Sequence, residues 1–319
     1  MFSINRLVSF FAVALLCGAP GVHAASPLVD HHQHLLSPAM IDAAKGEQPI
    51  AAQNLITMLD DAEIERAVVL SNAFRAGTPG VPTAPGEYAK VIAENNWTAA
   101  EVAKFPRRLV AFCGIDPLKS YAITEIERCA GDKRFGRGIK LQLGASMVNL
   151  DDKAHVAAVR AVFAEANKNG LAIVVHLRTR TRWPYGAAQA QVFLDEILSA
   201  APDVTVQIAH LAGGGGGSLD AEAEAALGVF AAAIAKGDPR VAHLYFDVSG
   251  ITGGEAAEGR DEEIAQRIRD IGVEHLLYGS DGGDPTDPPA KEAQKAFRKL
   301  PLSRKEFRAI ESNVAPYIK

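Results

Sequence analysis

The chain has 319 residues, 48% of them hydrophobic and 22% charged, with a formal net charge of −5. That balance suits a globular, enzyme-sized chain with a real core. It carries no basic stripe, which excludes nucleic-acid or anionic-membrane binding driven by bulk electrostatics.

Residues 1–24 read as a targeting segment outside the fold. Arg6 lies in a short basic start, apolar residues run from Leu7 to Cys17, and Val22-His23-Ala24 fits cleavage after Ala24. The apolar run is roughly 11 residues, well short of the ~20 that a membrane span needs. The expectation is a signal peptide over 1–24 and an exported, periplasmic, soluble protein over 25–319, with no membrane association after cleavage. Cys113 and Cys129 remain in that mature chain, one in an apolar strand-like run and one late in an amphipathic helix. Export permits a disulfide, but this placement predicts two buried free thiols.

From residue 28 onward, short apolar runs alternate with longer segments of helical periodicity. The first strand is predicted over Leu28–Leu35. The stretch from Ser37 to about Asp61 reads as a small helical excursion over a barrel mouth. Further strands are predicted at Arg66–Phe74, Leu109–Ile115, Gly138–Leu143, Leu171–Leu177, Val204–Leu211, His243–Val248 and His275–Ser280. Among the helices, Asp151–Gly170 opens on two acidic cap candidates and closes on glycine. Gly186–Pro202 is stopped by its proline. Ser218–Gly237 has acids in its first turn and Lys236-Gly237 at its end, as the helix dipole favours.

Strand–helix alternation with near-continuous apolar strands means a parallel sheet covered on both faces. Eight such units predict an α/β fold, a single-domain (β/α)8 TIM barrel over 25–319. The alternative, an open doubly wound sheet, needs a glycine-rich turn after the first strand. The residues there are His32 to Pro38, which cannot do that job.

Such a barrel keeps its reactive groups at the carboxyl ends of the strands. Strand one ends with Asp30, His32 and His34, which share parity and are predicted to face inward. Strand four places Lys140 and Gln142, strand five His176, strand six His210 and strand eight Asp281 at the same end. His32 and His34 stand ~6.5 Å apart along the strand and can hold one divalent ion from adjacent corners. His176 and Asp281 close the shell. Nitrogen ligands with one carboxylate suit zinc, and also manganese, iron or cobalt. His31, His155, His243 and His275 read as structural histidines.

As a set, Asp30-His31-His32-Gln33-His34, "AFCGIDP", "GIKLQ", "VVHL", "IAHLAGG", "YGSD" and the closing helix around Asn313 resemble the amidohydrolase superfamily. The likeness is to its amidohydrolase-related branch, which includes metal-dependent hydrolases similar to aminocarboxymuconate semialdehyde decarboxylase. The resemblance spans the whole mature chain. It implies that His32, His34, His176 and Asp281 hold a divalent metal, zinc first. It implies that His210 takes a second metal or orients the attacking water. Lys140 occupies the strand that carries a carboxylated, metal-bridging lysine in binuclear members and no such bridge in mononuclear ones. A carbamate ligand, a substrate-binding cation and a structural ion pair therefore stay open for Lys140, as does a count of one or two metals.

Chemically, Asp281 is the candidate acceptor of the water proton, with His210 a competing base or oxyanion partner. Asp30, one pleat deeper, reads as a supporting residue. Substrate contacts are expected from Asn72 and Arg75 after strand two, Lys140, Arg178 after strand five, and Asp247 and Ser249 on strand seven. Arg178 shares parity with His176 and suits a carboxylate clamp. Arg180 and Arg182 read as a solvated loop, and Gly213–Gly217 as a mobile or close-approach loop over the metal. The function implied is metal-dependent hydrolysis of a C–N or C–O bond in a small amide, cyclic amide or lactone, with an acidic substrate favoured by the surrounding cations. Non-oxidative decarboxylation of a small carboxylic acid is the alternative. Many decarboxylases of this branch carry Glu where His32 stands, which favours hydrolysis. A catalytically dead binding protein is a third reading. The only partner expected is a small-molecule substrate, and the oligomeric state stays open, a homo-oligomer included.

Overall fold

Eight strands pair in chain order, each parallel to its neighbour. They are β1 (Val29–Gln33), β2 (Arg66–Leu70), β3 (Leu109–Ile115), β4 (Gly138–Gln142), β5 (Ala172–His176), β6 (Val206–Ile208), β7 (Leu244–Asp247) and β8 (Leu276–Leu277). The ring closes between β8 and β1. There the His31 amide donates to Tyr278 O at 2.9 Å, the Asp281 amide to His32 O at 2.9 Å and the His34 amide to Gly282 O at 2.7 Å. This computed structural model describes residues 27–41, 47–180, 182–217, 220–252, 258–283 and 288–318, so the expected signal peptide lies outside the described residues.

Helices α1 (Ala52–Asp61), α2 (Glu87–Val102), α3 (Ala122–Gly131), α4 (Lys153–Lys168), α5 (Ala187–Val192), α6 (Ala221–Ala235), α7 (Asp261–Ile271), α8 (Ala290–Phe297) and α9 (Arg304–Ser312) surround the strands. The segment after β1 takes a definite form at its two ends. Leu36 and Ile50 form an isolated antiparallel bridge, residues 42–46 lie outside the described residues, and α1 joins the outer ring. There its Leu55 and Leu59 enter the main core.

The strands are apolar on both faces because both are covered. Ala67, Val69, Ala111, Ile139, Leu141, Ile173 and Val175 pack outward under the helices. The alternate residues Val68, Leu70, Phe112, Ala172 and Val174 fill the interior with Val29, Ile318, Val314 and Tyr317. The C-terminal segment thus plugs the base of the barrel and leaves the carboxyl ends of the strands open. Truncating one outward core residue, Leu141→Ala for instance, costs about 2–5 kcal/mol.

Two expectations are corrected. Cys113 on β3 and Cys129 on α3 form a disulfide, their Cα atoms 6.4 Å apart, instead of two free thiols. The cause is that α3 packs back onto β3, bringing together residues 16 apart in sequence. The parity of β1 also fails, for Asp30 and His31. Its register with β2 shifts between Asp30 and Gln33, as a bulge does. Asp30 therefore turns to Ser280, and His31 reaches the base, its ring edge-on to Tyr317 with centroids 6.2 Å apart.

A candidate metal centre at the carboxyl ends of the strands

A cavity of about 230 Å³ opens where the strands end, bounded by His32, His34, Lys140, His176, His210 and Asp281 among others. Within it, one nitrogen each from His32 and His34 and one Asp281 oxygen lie within 4.8 Å of one another. His32 Nε2 stands 3.1 Å from Asp281 Oδ1, and His34 Nε2 stands 3.7 Å from the same oxygen. The far nitrogens are engaged elsewhere. His32 Nδ1 meets Asp247 Oδ2 at 3.0 Å, and His34 Nδ1 donates to Leu70 O at 2.6 Å. With Nδ1–H donated backward, each ring presents the Nε2 lone pair forward, the tautomer a metal ligand needs. Burial holds both imidazoles below their ordinary pKa, aided by the Lys140 ammonium, so they stay neutral.

His176, at the end of β5, lines the same cavity. Its ring lies edge-on to His210 with centroids 4.9 Å apart, and burial drives its pKa well down. Among the described residues its side chain makes no hydrogen bond, so its nitrogens are available to a ligand. Two imidazoles, a carboxylate and a third imidazole on the same wall are a donor set that fits a divalent ion such as zinc or manganese. Burial raises the Asp281 carboxyl above its usual range, against the pull of His32 and Lys140. The Lys140 ammonium lies 3.0 Å from His32 Nε2 and, buried, falls to a pKa of about 8.

Backbone strain is concentrated here. β6 stops at Ile208, short of the predicted Leu211, because His210, Leu211 and Ala212 all adopt positive φ, 56°, 50° and 63°. Asp281 does the same at 59°. Left-handed backbone costs roughly 1–2 kcal/mol per non-glycine residue, and such outliers gather at working sites. The turn is held by the His210 amide donating to Asp247 Oδ1 at 3.0 Å and by His210 Nδ1 facing Ser249 O at 2.9 Å. Glycines are required where chain crosses the site. A Cβ on Gly283 would sit 2.0 Å from His34 O. Gly215, at φ +76°, brings bare backbone over the site, where a Cβ would lie 3.4 Å from the His210 ring and 3.5 Å from Asp281 Oδ2. The glycine run is thus a close-approach loop.

Asp247 does not reach the cavity. It is fully buried beneath it and accepts from His32, Gln207 and Ser249 as well as His210. Burial opposes its ionisation, but His32 and His210 outweigh this and hold its carboxyl far below the usual range. Its placement is that of a support for two histidines and not of a substrate contact. Ser249 likewise spends its hydroxyl on Asp247 and the two rings. Asp30 supports β8, accepting from the Ser280 amide and hydroxyl, and burial raises its pKa to about 6.

Asn72 and Arg75 line the cavity. Arg178 lines an adjoining outer chamber of about 730 Å³. It forms a bidentate pair with Asp220 at 2.8 and 2.6 Å instead of pointing an open fork at the metal centre. Arg180, expected in a solvated loop, also lines this chamber, its Nε bonded to Gly144 O at 3.0 Å. Phe74 and Gln142 border both chambers and were assigned no role from sequence. Gln142 shared strand and face with Lys140, a signal that could have found it.

The model of the amidohydrolase family matches residues 29–313. The chain belongs to the amidohydrolase family. Solved structures share its fold at low identity. One is a dihydroxybenzoic acid decarboxylase from Polaromonas sp. JS666 with bound manganese and the inhibitor 2-nitroresorcinol, with 15% identity, TM-score 0.61, and 90% of this chain and 95% of that one covered. Another is a probable 2-pyrone-4,6-dicarboxylic acid hydrolase from Acinetobacter baumannii with bound citric acid, at 16%, 0.59, 89% and 96%. A third is a 5-carboxyvanillate decarboxylase from Sphingomonas paucimobilis, at 14%, 0.58, 90% and 97%. No curated protein sequence matches the chain. The amidohydrolase-family protein is an enzyme of this superfamily. Among the described residues no helix is long and apolar enough to cross a membrane.

Proposed function

We propose that this amidohydrolase-family enzyme is a metal-dependent hydrolase that cleaves a C–N or C–O bond in a small acidic amide, cyclic amide or lactone. The carrying observation is the convergence of His32, His34 and Asp281, one ligand atom from each within 4.8 Å of the others, with both histidine Nδ1 atoms engaged behind. His32, His34, His176 and Asp281 would hold the ion, and His210 stands against Asp281 Oδ2 at 3.8 Å. A divalent ion bound there would supply Lewis acidity toward the scissile carbonyl and toward a water, whose pKa such ions bring to ~7. Asp281, its carboxyl raised by burial, takes the proton of the attacking water and returns it to the leaving group. His210, neutral, orients that water or the developing oxyanion. Lys140, Arg75 and Asn72 bind the acidic substrate.

Decarboxylation on the same frame is the second reading, favoured by the fold neighbours named as decarboxylases. The expected signal peptide and the Cys113–Cys129 pair support an exported, periplasmic enzyme. The test is a panel of lactones, amides and aryl carboxylates incubated with metal-loaded protein. Product acid or amine without CO2 supports hydrolysis. Stoichiometric CO2 from an aryl carboxylate, with lactones and amides inert, supports the second reading and overturns the first.

A further inference from the structure

The turn that aims His210 is under strain, and its restraint reaches it from another loop. The Tyr185 hydroxyl, buried, donates to Ala212 O at 2.6 Å. Ala212 is the last of the three left-handed residues that begin at His210. Tyr185 comes from the loop after β5. Its own position is fixed by Arg178, whose guanidinium carbon lies 4.7 Å from the ring centroid and whose fork is pinned by Asp220. Asp220 in turn caps α6, accepting from the Ala223 amide at 2.9 Å. The β5 loop, the β6 turn and the start of α6 are therefore one connected unit with Tyr185 at its centre.

We propose that Tyr185 is a positioning residue for His210, its hydroxyl holding the left-handed turn in the conformation that points the imidazole at Asp281. The other restraints on the turn run through its first residue: the His210 amide to Asp247, His210 Nδ1 to Ser249, and His210 O, which accepts from the Gly213 amide at 2.8 Å. Among the described residues Tyr185 is the side chain that bonds its last. Losing that bond frees Ala212 to relax toward ordinary backbone, which swings the turn and the ring it carries. The outer chamber is coupled to the site by the same route, because Arg178 lines that chamber and stacks on Tyr185.

The test reads the His210 imidazole by nitrogen-15 histidine spectroscopy on the full mature chain, so it needs neither metal nor substrate. His210→Gln assigns the signal. In Tyr185→Phe the ratio of aimed to displaced His210 is expected to fall roughly tenfold, as loss of one buried hydrogen bond does. A second His210 signal then appears, while His31 and His275, bonded to Tyr278 O and Leu244 O, stay in place. Ala212→Gly added to Tyr185→Phe is expected to restore the original signal, because glycine adopts the left-handed conformation freely. An unchanged His210 signal in Tyr185→Phe overturns the proposal. So does a general shift of all histidine signals, which marks Tyr185 as merely structural, and so does failure of Ala212→Gly to rescue. None of these outcomes bears on whether the site hydrolyses or decarboxylates.

Discussion

Replacing Asp247 with asparagine keeps shape and volume and changes only what the side chain accepts. In the native site Oδ2 meets His32 Nδ1 at 3.0 Å and Gln207 Nε2 at 2.6 Å. Oδ1 meets the His210 amide at 3.0 Å, the Ser249 amide at 3.2 Å and the Ser249 hydroxyl at 2.5 Å. An NH2 group on the Oδ1 side would oppose two backbone amides that have no alternative. The amide therefore turns its NH2 toward His32. The ring can satisfy it only by moving its proton from Nδ1 to Nε2, which removes the lone pair from the metal position. Losing such an orienting partner typically costs 10–100-fold in metal affinity. The mismatched donors, left buried, cost about 1–3 kcal/mol each in stability. Isothermal titration of the apoprotein with Zn²⁺ or Mn²⁺ measures the first, and denaturant unfolding of the apoprotein the second. Wild-type metal affinity in Asp247→Asn would refute the reasoning, because it would mean that His32 does not bind through Nε2.

His176→Ala is expected to abolish both metal retention, read by elemental analysis, and turnover; full metal content with activity intact removes His176 from the ligand set. Lys140→Met is expected to keep one metal but raise KM for an acidic substrate 10–100-fold, the range of a charged hydrogen bond worth about 1.5–3 kcal/mol. A fall from two metals to one would instead identify a carbamate bridge. Oxidised protein spanning residues 25–319 should titrate without free thiols. Reduction should lower its stability by about 3 kcal/mol, the loop-closure value for a span of this length. Two thiols titrating in the unreduced, unfolded protein would contradict the pairing.

Much of this site was legible because a barrel converts chain position into spatial position. His32, His34, His176, His210 and Asp281 each lie at or just past the end of a strand, and parallel pairing in register gathers strand ends at one rim. What escaped was set by contacts that parity does not encode. The bulge in β1 reversed the directions expected of Asp30 and His31. A period of two gives the facing of Asp247 but not its depth, so a buried support was read as a substrate contact. Arg178 looked like an open clamp because its partner Asp220 lies 42 residues away. The early end of β6 could not be read from Ala209-His210-Leu211, since nothing in those side chains announces left-handed backbone. Its supports, Asp247 and Tyr185, come from other elements.

On the proposed function, strand ends far apart in sequence share one cation. Anomalous diffraction at the metal edge, on crystals of protein loaded with zinc or manganese, tests it most directly. A single strong peak is expected at about 2.0–2.2 Å from His32 Nε2, His34 Nε2 and an Asp281 oxygen, with His176 completing the shell. A fully active protein with no peak there, and no metal by elemental analysis, would contradict it.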